Sequence, residues 1–420
     1  MSNITSMKLG DIGKVSMCKR ILKEQTKAHG DIPFYKISTF GEKADCFIEK
    51  ELYLKYKKQF AFPKKGDVLI SAAGTLGRTV IYNGEDAYFQ DSNIVWIEND
   101  ETKVTNKYLY YFYQLKPWKK TPGSTIDRLY NDNIRDTDIF FPTDIAEQNT
   151  ITSMLENLDN CIINNNRAKA ELEKMVDLVF SYWFLQYEFP DKNGKPYRSS
   201  GGEMEWHKEL NREIPKGWNV QELGEVLDSN RGISYNSDNL EGEGVPMVNL
   251  ASFATDGTYK EDGIKNYSGE YPQDKVLMPY DLVMCNTQQT AIDFDKDIIG
   301  KAFLVPDIFD EDVVHSHHVT KISVQNDDYK YYLCRLFNTG FFHKYIAGFT
   351  NGTNILGLDF NGVETYKTEI PDDSILKKFA ELSLDIEKKK SEIIKENKEL
   401  ASLRDFLLPL LMNGQVTFKE

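Results

Sequence analysis

From Asp144 to about Gln186 the chain contains neither proline nor glycine. Across that stretch Ile151, Leu155, Leu158, Ile162, Asn165, Lys169, Leu172, Val176, Val179 and Trp183 recur at alternating steps of four and three. This is the spacing of a coiled-coil seam, interrupted by polar residues at Asn165 and Lys169. The pattern returns after Pro371, where Ile386, Ile393, Leu400 and Leu407 fall seven apart, Leu382, Leu403 and Leu410 take the companion positions, and Gly414 ends the run. Each stretch predicts a helix of about 40 residues, spanning about 60 Å at 1.5 Å per residue. Left alone, each would expose a long apolar stripe, so the two most economically pair with each other. A polar seam residue such as Asn165 fixes register at some cost in stability.

Elsewhere the pattern changes to short β-like runs separated by Gly, Asn and Asp turns. Asp67–Ala72, Thr79–Tyr82 and Asn93–Glu98 form one set, and Asp281–Cys285, Ala302–Val305 and Val319–Val324 form another. Each set has one short helical stretch, Lys107–Lys116 and Tyr329–Phe337. These segments predict α+β globules whose topology the pattern does not give.

The two sets belong to a duplication. Leu9-Gly10 is answered by Leu223-Gly224, Asp67 by Asp281, Gly77-Arg78 by Gly300-Lys301, and Ser92-Asn93 by His317-His318. Gly123-Ser124-Thr125 is answered by Gly352-Thr353-Asn354, and Phe141-Pro142 by Ile370-Pro371. The offset begins near about 214 and settles near about 228 after an insertion around Ala291–Ile299, while the order of landmarks is kept. Between the copies, Glu188–Met204 is rich in Gly, Pro and polar residues and reads as a linker or extended loop. The expected organisation is a first globule over 1–143, a first long helix over 144–187, a linker over 188–216, a second globule over 217–372 and a second long helix over 373–420.

At 420 residues the chain is long enough for two or three domains. No apolar run reaches the roughly 20 residues of a membrane span and the first ten residues lack a secretory pattern, so a cytoplasmic protein is expected. The five cysteines are scattered without C-x-x-C spacing and read as reduced structural thiols. A net charge of −14 argues against a polyanion as partner, but the charge is unevenly divided. Lys8–Asp144 holds 22 basic against 19 acidic residues, whereas Gly217–Asp372 holds 11 against 25. The first copy can bind a polyanion unaided; the second can do so only with its few cations on one face or with help from another subunit.

Catalytic signatures are missing from the sequence: there is no phosphate-binding loop and no dinucleotide fingerprint, and Met278-Pro279-Tyr280-Asp281 is not an amino-methyltransferase tetrad. Asp310-Glu311-Asp312 with His315, His317 and His318 is the nearest approach to a metal cluster, and a solvated acidic loop accounts for it better, since the first copy has Ser92 and Asn93 at the matching places. Turns beside strands are where side chains reach a groove. Arg78 and Lys301 match, Gly74 and Thr75 answer Gln288 and Gln289, Asn93 answers His318, and Ser124, Thr125 and Arg128 lie in the segment answered by Thr353 and Asn354. Gln and Asn can pair with adenine and Arg with guanine, while Ser, Thr and Lys mostly hold phosphates. For any one of them an ordinary surface loop explains the residue; recurrence in both copies favours the group.

The chain resembles the specificity (S) subunits of Type I restriction-modification systems. The most specific stretch is Trp183-Phe184, then Phe189-Pro190-Asp191-Lys192-Asn193-Gly194-Lys195-Pro196-Tyr197-Arg198, then Ile214-Pro215-Lys216-Gly217-Trp218 and Leu223-Gly224. Pro142 with Ala146-Glu147-Gln148 and the closing Leu410-Leu411-Met412-Asn413-Gly414 also fit. The resemblance implies an α+β chain with two target-recognition domains in tandem repeat, separated by two long antiparallel coiled-coil spacer helices. It implies recognition of double-stranded DNA with a bipartite site, in complex with two modification (methyltransferase) subunits and two restriction subunits. The chain itself would bind no cofactor; S-adenosylmethionine, ATP and Mg²⁺ would be used by the partners. The alternatives are a specificity subunit of a stand-alone adenine-N6 methyltransferase, a metal-dependent nuclease built on Asp67, Asp91 and Asp281, or a coiled-coil scaffold without DNA contact. Two departures stand out: Ser374-Ile375-Leu376-Lys377 replaces the Glu-Gln opening in the second helix, and the second recognition domain is acidic.

Overall fold

The computed structural model describes residues 4–118, 128–240, 242–289, 296–353 and 355–416. The chain divides into two compact units, one made of 1–163 with 398–420 and the other of 164–397.

The first unit contains β1 (Ile4–Lys8), β2 (Lys14–Met17), β3 (Ile32–Tyr35), β4 (Phe47–Ile48), β5 (Val68–Ser71), β6 (Thr79–Ile81), β7 (Tyr88–Phe89), β8 (Ile94–Glu98) and β9 (Asp138–Pro142). Its central sheet has the order β2-β8-β5-β6, flanked by a small sheet of order β4-β3-β7. Alternation along the central strands decides what packs where. Val68, Ile70, Val95 and Ile97 face helix α2 (Asn106–Gln114) through Tyr108, Leu109 and Phe112. Leu69, Ile94 and Trp96 face the other way, onto Phe34, Tyr88 and Tyr53 of helix α1 (Lys50–Gln59).

The second unit repeats this plan. Its strands are β10 (Met204–His207), β11 (Arg212–Pro215), β12 (Asn219–Glu222), β13 (Leu227–Arg231), β14 (Val245–Val248), β15 (Lys265–Tyr267), β16 (Val276–Leu277), β17 (Leu282–Cys285), β18 (Thr287–Gln289), β19 (Ala302–Leu304), β20 (Val313–His315), β21 (Val319–Val324), β22 (Thr350–Asn351), β23 (Ile355–Leu358) and β24 (Lys367–Ile370). The sheet β13-β21-β17-β19 has the strand order of β2-β8-β5-β6, and β12–β24 corresponds to β1–β9. Registers agree too: Leu69 lies opposite Val80 as Val283 lies opposite Phe303, and β3∥β7 is answered by β14∥β20. Leu282, Met284 and Ile322 pack on helix α4 (Tyr329–Asn338; helix α3 is defined below), and Val283, Cys285 and Val319 pack on Val248 and Phe253. Gly77 and Gly300 both adopt φ +75 at the same hairpin, and a Cβ there would meet Trp118 or Ile346 at 2.8 Å.

The long helices run over Ile145–Phe180 (α3), continuing as a π-helical turn to Leu185, and Asp373–Met412 (α5). They lie antiparallel within each unit. In the first, Arg404 pairs with Asp159 at 3.0 Å, and Ile151 and Leu155 share a core with Leu408 and Leu411. In the second, Asn165 Nδ2 donates to Asn397 Oδ1 at 3.0 Å, and Asn397 Nδ2 donates to Asn166 Oδ1 at 3.0 Å. Ile386 and Ile393 are buried there, while Leu172 and Val179 are partly buried against the core. Leu407 is partly buried in the first unit, and Leu158 and Leu400 are half-buried.

Residues 188–216, expected as a linker, are ordered by aromatic stacking. Phe189 stacks on Tyr197 at 4.6 Å and on Trp218 at 5.2 Å, and β10 and β11 form a hairpin. Glycine and proline content marked the turns correctly but hid the rings between them.

Arg335 of α4 is buried and pairs with Glu173 and Asp177 of α3 and with Glu387 of α5; Lys390 also contacts Glu173 and Glu387. Burial raises the pKa of Glu173, but Arg335 and Lys390 outweigh it and hold the group at about 2 against 4.5. A depressed carboxylate stabilises the fold above the unfolded pKa and loses that contribution as pH falls through the folded value. Acid should therefore weaken the second unit between about pH 4.5 and 2. Arg335→Met leaves buried carboxylates uncompensated and should cost about 3–5 kcal/mol in the urea transition reporting the second unit. The same variant should flatten this acid dependence; an unchanged acid limb would show that the cluster does not carry it.

Candidate recognition face

The sheets end at one turn in each unit. In the first, Ala72 N donates to Asn93 O at 2.7 Å; in the second, Asn286 N donates to His318 O at 3.0 Å. Arg78 and Lys301 are also equivalent, since their carbonyls accept from Ser71 N and Cys285 N, each at 2.9 Å. The sequence pairing of Ser92-Asn93 with His317-His318 is therefore a pairing of equivalent positions.

Equivalent positions do not give equivalent side chains. Arg78 is half-buried and donates to the Phe40 carbonyl at 2.8 Å and to Glu42 at 3.1 Å. Lys301 is buried, and its ammonium donates to the Asn338 carbonyl at 3.3 Å. Burial lowers the Lys301 pKa against the pull of Asp256 and Asp297. The expectation that Lys301 presents its charge to a groove is corrected: the side chain is turned into the unit.

The other candidates divide. Thr75 is exposed, and its carbonyl accepts the Ser71 hydroxyl. Gln288 is half-buried on β18, where Ile298 N donates to its side chain at 3.4 Å, and Gln289 ends the same strand. Thr353 lies exposed beside Gly352. Ser124, Thr125 and Asn354 lie outside the described residues. Arg128 Nη2 donates to the Ser92 carbonyl at 3.1 Å, and Ser92 itself has φ +53, a left-handed conformation that costs a non-glycine residue energy. The rings of His317 and His318 pack with centroids 3.8 Å apart and a 40° tilt, Tyr235 lies 5.5 Å from His317, and Nδ1 of each histidine is buried without a hydrogen-bond partner among the described residues.

Two arginines at these turns were missed in the sequence. Arg231 Nε donates to the His317 carbonyl at 2.8 Å, and Arg20 Nε bonds Asp91 at 2.9 Å. Neither recurs in the other copy, so the repeat gave no signal for them; Met17 stands at the position of Arg231.

The acidic residues named for a nuclease have structural partners. Lys64 N donates to Asp67 and Met278 N donates to Asp281, each at 2.7 Å, which caps equivalent turns. Asp281 also pairs with Lys321, and Asp91 with Arg20. Among the described residues no group of three His, Cys, Asp or Glu side chains is placed to hold a metal ion. No helix among them is long and apolar enough to cross a membrane.

Residues 1–174 match the family model of the Type I restriction modification DNA specificity domain. A putative type I restriction enzyme specificity subunit of Haemophilus influenzae is 58% identical over 153 residues, which cover 36% of this chain and 40% of that relative. The MjaIX specificity subunit of Methanocaldococcus jannaschii is 25% identical, covering 98% of this chain and 93% of its own. In fold, the chain is similar to the crystal structure of a Type I S subunit from M. genitalium, with a TM-score of 0.54 and 15% identity over 98% of this chain and 96% of that one.

Burial, then the charges of His317, Arg231 and Lys265, lower the His318 pKa from 6.5 to about 4. His318 should stay neutral from neutrality down to about pH 5, and Arg231→Met should raise its pKa. Histidine NMR titration checks both, and protonation of His318 near its ordinary pKa in the unaltered chain would contradict the described packing.

Proposed function

We propose that the chain belongs to the family of Type I restriction-modification specificity subunits and is the DNA sequence-specificity subunit of such a complex. Residues 1–143 and 217–372 are the two target-recognition domains, each reading one half of a bipartite duplex. The helical segments 144–187 and 373–420 carry them and bind two modification subunits. The duplicated turn at Ser92-Asn93 and His317-His318 supports this reading: two copies of one fold present different polar side chains at one equivalent sheet edge. A scaffold alone needs no such divergence at a turn shared by both copies.

The partners supply the chemistry in this reading. Modification subunits methylate adenine N6 with S-adenosylmethionine, and restriction subunits use ATP and Mg²⁺ to cleave unmodified DNA. The chain acts in the cytoplasm and contributes the choice of site. In the second unit, Met175, Leu178, Tyr182 and Leu185 are exposed at helical spacing on α3 and the turn that continues it. In the first, Leu403 and Phe406 are exposed on α5. Exposed apolar residues in such rows are a reason to dock modification subunits there.

Purified chain with S-adenosylmethionine should leave DNA unmethylated, and adding the modification subunit should produce adenine methylation at a two-part motif. Methylation by the chain alone would overturn the assignment. Leu178→Asp with Met175→Asp should weaken capture of the modification subunit at least tenfold in a pull-down or calorimetric titration, and full capture would remove α3 as the docking surface.

A further inference from the structure

Most cations of the second recognition unit are committed to internal carboxylates. Lys260 pairs with Asp262, Lys275 with Asp274, Lys321 with Asp281, Lys330 with Asp327, and Lys367 with Glu209 and Glu222. Arg335 is buried among Glu173, Asp177 and Glu387, and Lys301 is buried against Asn338. Among the described residues of 217–372, Arg231, Lys265 and Lys344 are exposed and form no ion pair. Two of these three converge on one turn. Arg231 ends β13, whose continuation Gly232-Ile233 is hydrogen-bonded to Val319, His315 and His317. Lys265 opens β15, which lies beside β14, which in turn pairs with β20 leading into the turn.

The carbonyl at this turn is held in the same way in both units, although the donors come from different places. His317 O accepts from Arg231 Nε at 2.8 Å, and Ser92 O accepts from Arg128 Nη2 at 3.1 Å. Arg231 ends the edge strand of its sheet, whereas Arg128 precedes Leu129, whose N–H donates to Ala72 O at 2.9 Å. A shared fold alone would place the arginine at one equivalent position. Instead two unrelated positions supply a guanidinium to the same carbonyl. In the first unit Arg20, its side chain 68% exposed, stands at the same turn on Asp91.

We propose that this arginine-latched turn is the DNA-phosphate clamp of each recognition unit, formed by Arg231 and Lys265 in the second and by Arg128 and Arg20 in the first. A guanidinium has five N–H donors in a fixed plane. In Arg231 the backbone bond occupies Nε and orients the group, leaving its Nη edge to face phosphate oxygens. The latch thus fixes a side chain that would otherwise lose rotamer freedom on binding. Phosphate contacts position the protein without reading bases. The clamp therefore explains how an acidic unit grips a polyanion, and it assigns base reading to other residues.

This inference rests on the DNA-specificity reading, and one experiment separates the two. The complex with modification subunits is titrated with duplexes carrying both half-sites, and with duplexes substituted base by base in the half read by the second unit, over a range of KCl. Arg231→Gln with Lys265→Gln should lower affinity about tenfold or more and reduce the salt slope by about two, with the same fold loss on every sequence. Lys344→Gln, an exposed cation elsewhere in the unit, should leave affinity nearly unchanged. Arg128→Gln with Arg20→Gln should produce the corresponding loss through the first unit. Lys265→Gln alone removes an exposed side chain that makes no ion pair, so a lowered slope in that variant cannot be ascribed to misfolding. Wild-type affinity and slope in the double variant would overturn the clamp and leave the specificity reading intact. Relaxed base discrimination at unchanged affinity would overturn it in favour of base contact. A wild-type complex that binds all duplexes alike would instead defeat the specificity reading itself.

Discussion

Each recognition unit is tied by the short helix of its globule to both long helices, and the constraint on the rest of the chain lies there. In the second unit Arg335 of α4 is bonded at once to Glu173 of α3 and Glu387 of α5. In the first, Tyr111 of α2 donates to Asp159 of α3 at 2.8 Å, and Arg404 of α5 meets the same carboxylate at 3.0 Å. A buried charge with three partners tolerates no slip, because a one-turn shift of either helix would strand carboxylates in low dielectric. The seam asparagines Asn165 and Asn397 add a second polar match within the second unit. Register is thus fixed by polar groups, while the apolar seam supplies bulk stability.

With the helices fixed, the globule can vary at its edge. The central sheet and its packing helix are built from alternating apolar residues in both units, and the equivalent turns carry different polar side chains. Ser92 and Asn93 occupy in one copy what His317 and His318 occupy in the other. The cations follow the same division. Those of the second unit are mostly committed to holding acidic loops together, and Arg231 with Lys265 stand at the turn. The unequal charge of the copies therefore reflects, in part, different internal pairing.

The helices were legible because a seam repeating every three and four residues has one physical meaning at that length. The duplication was legible because Gly77 and Gly300 need the same positive φ and Asp67 and Asp281 cap the same turn. Topology was not legible: β2 pairs with β8, across some 80 residues, and no local pattern encodes a non-local pairing. Side-chain environment was not legible either. Lys301 shares the backbone position of Arg78 but is buried under Asn338, and Phe189, Tyr197 and Trp218 stack within what read as a loop. Arg231 and Arg20 gave no signal in the sequence because neither recurs in the other copy.

If this chain chooses the sequence at which a partner enzyme acts, its loss should abolish methylation at that sequence alone. Mapping N6-methyladenine across the genome, with the chain present and with it deleted, tests this directly. One two-part motif should lose its methylation completely while other methylated motifs persist. Unchanged methylation after deletion would contradict it.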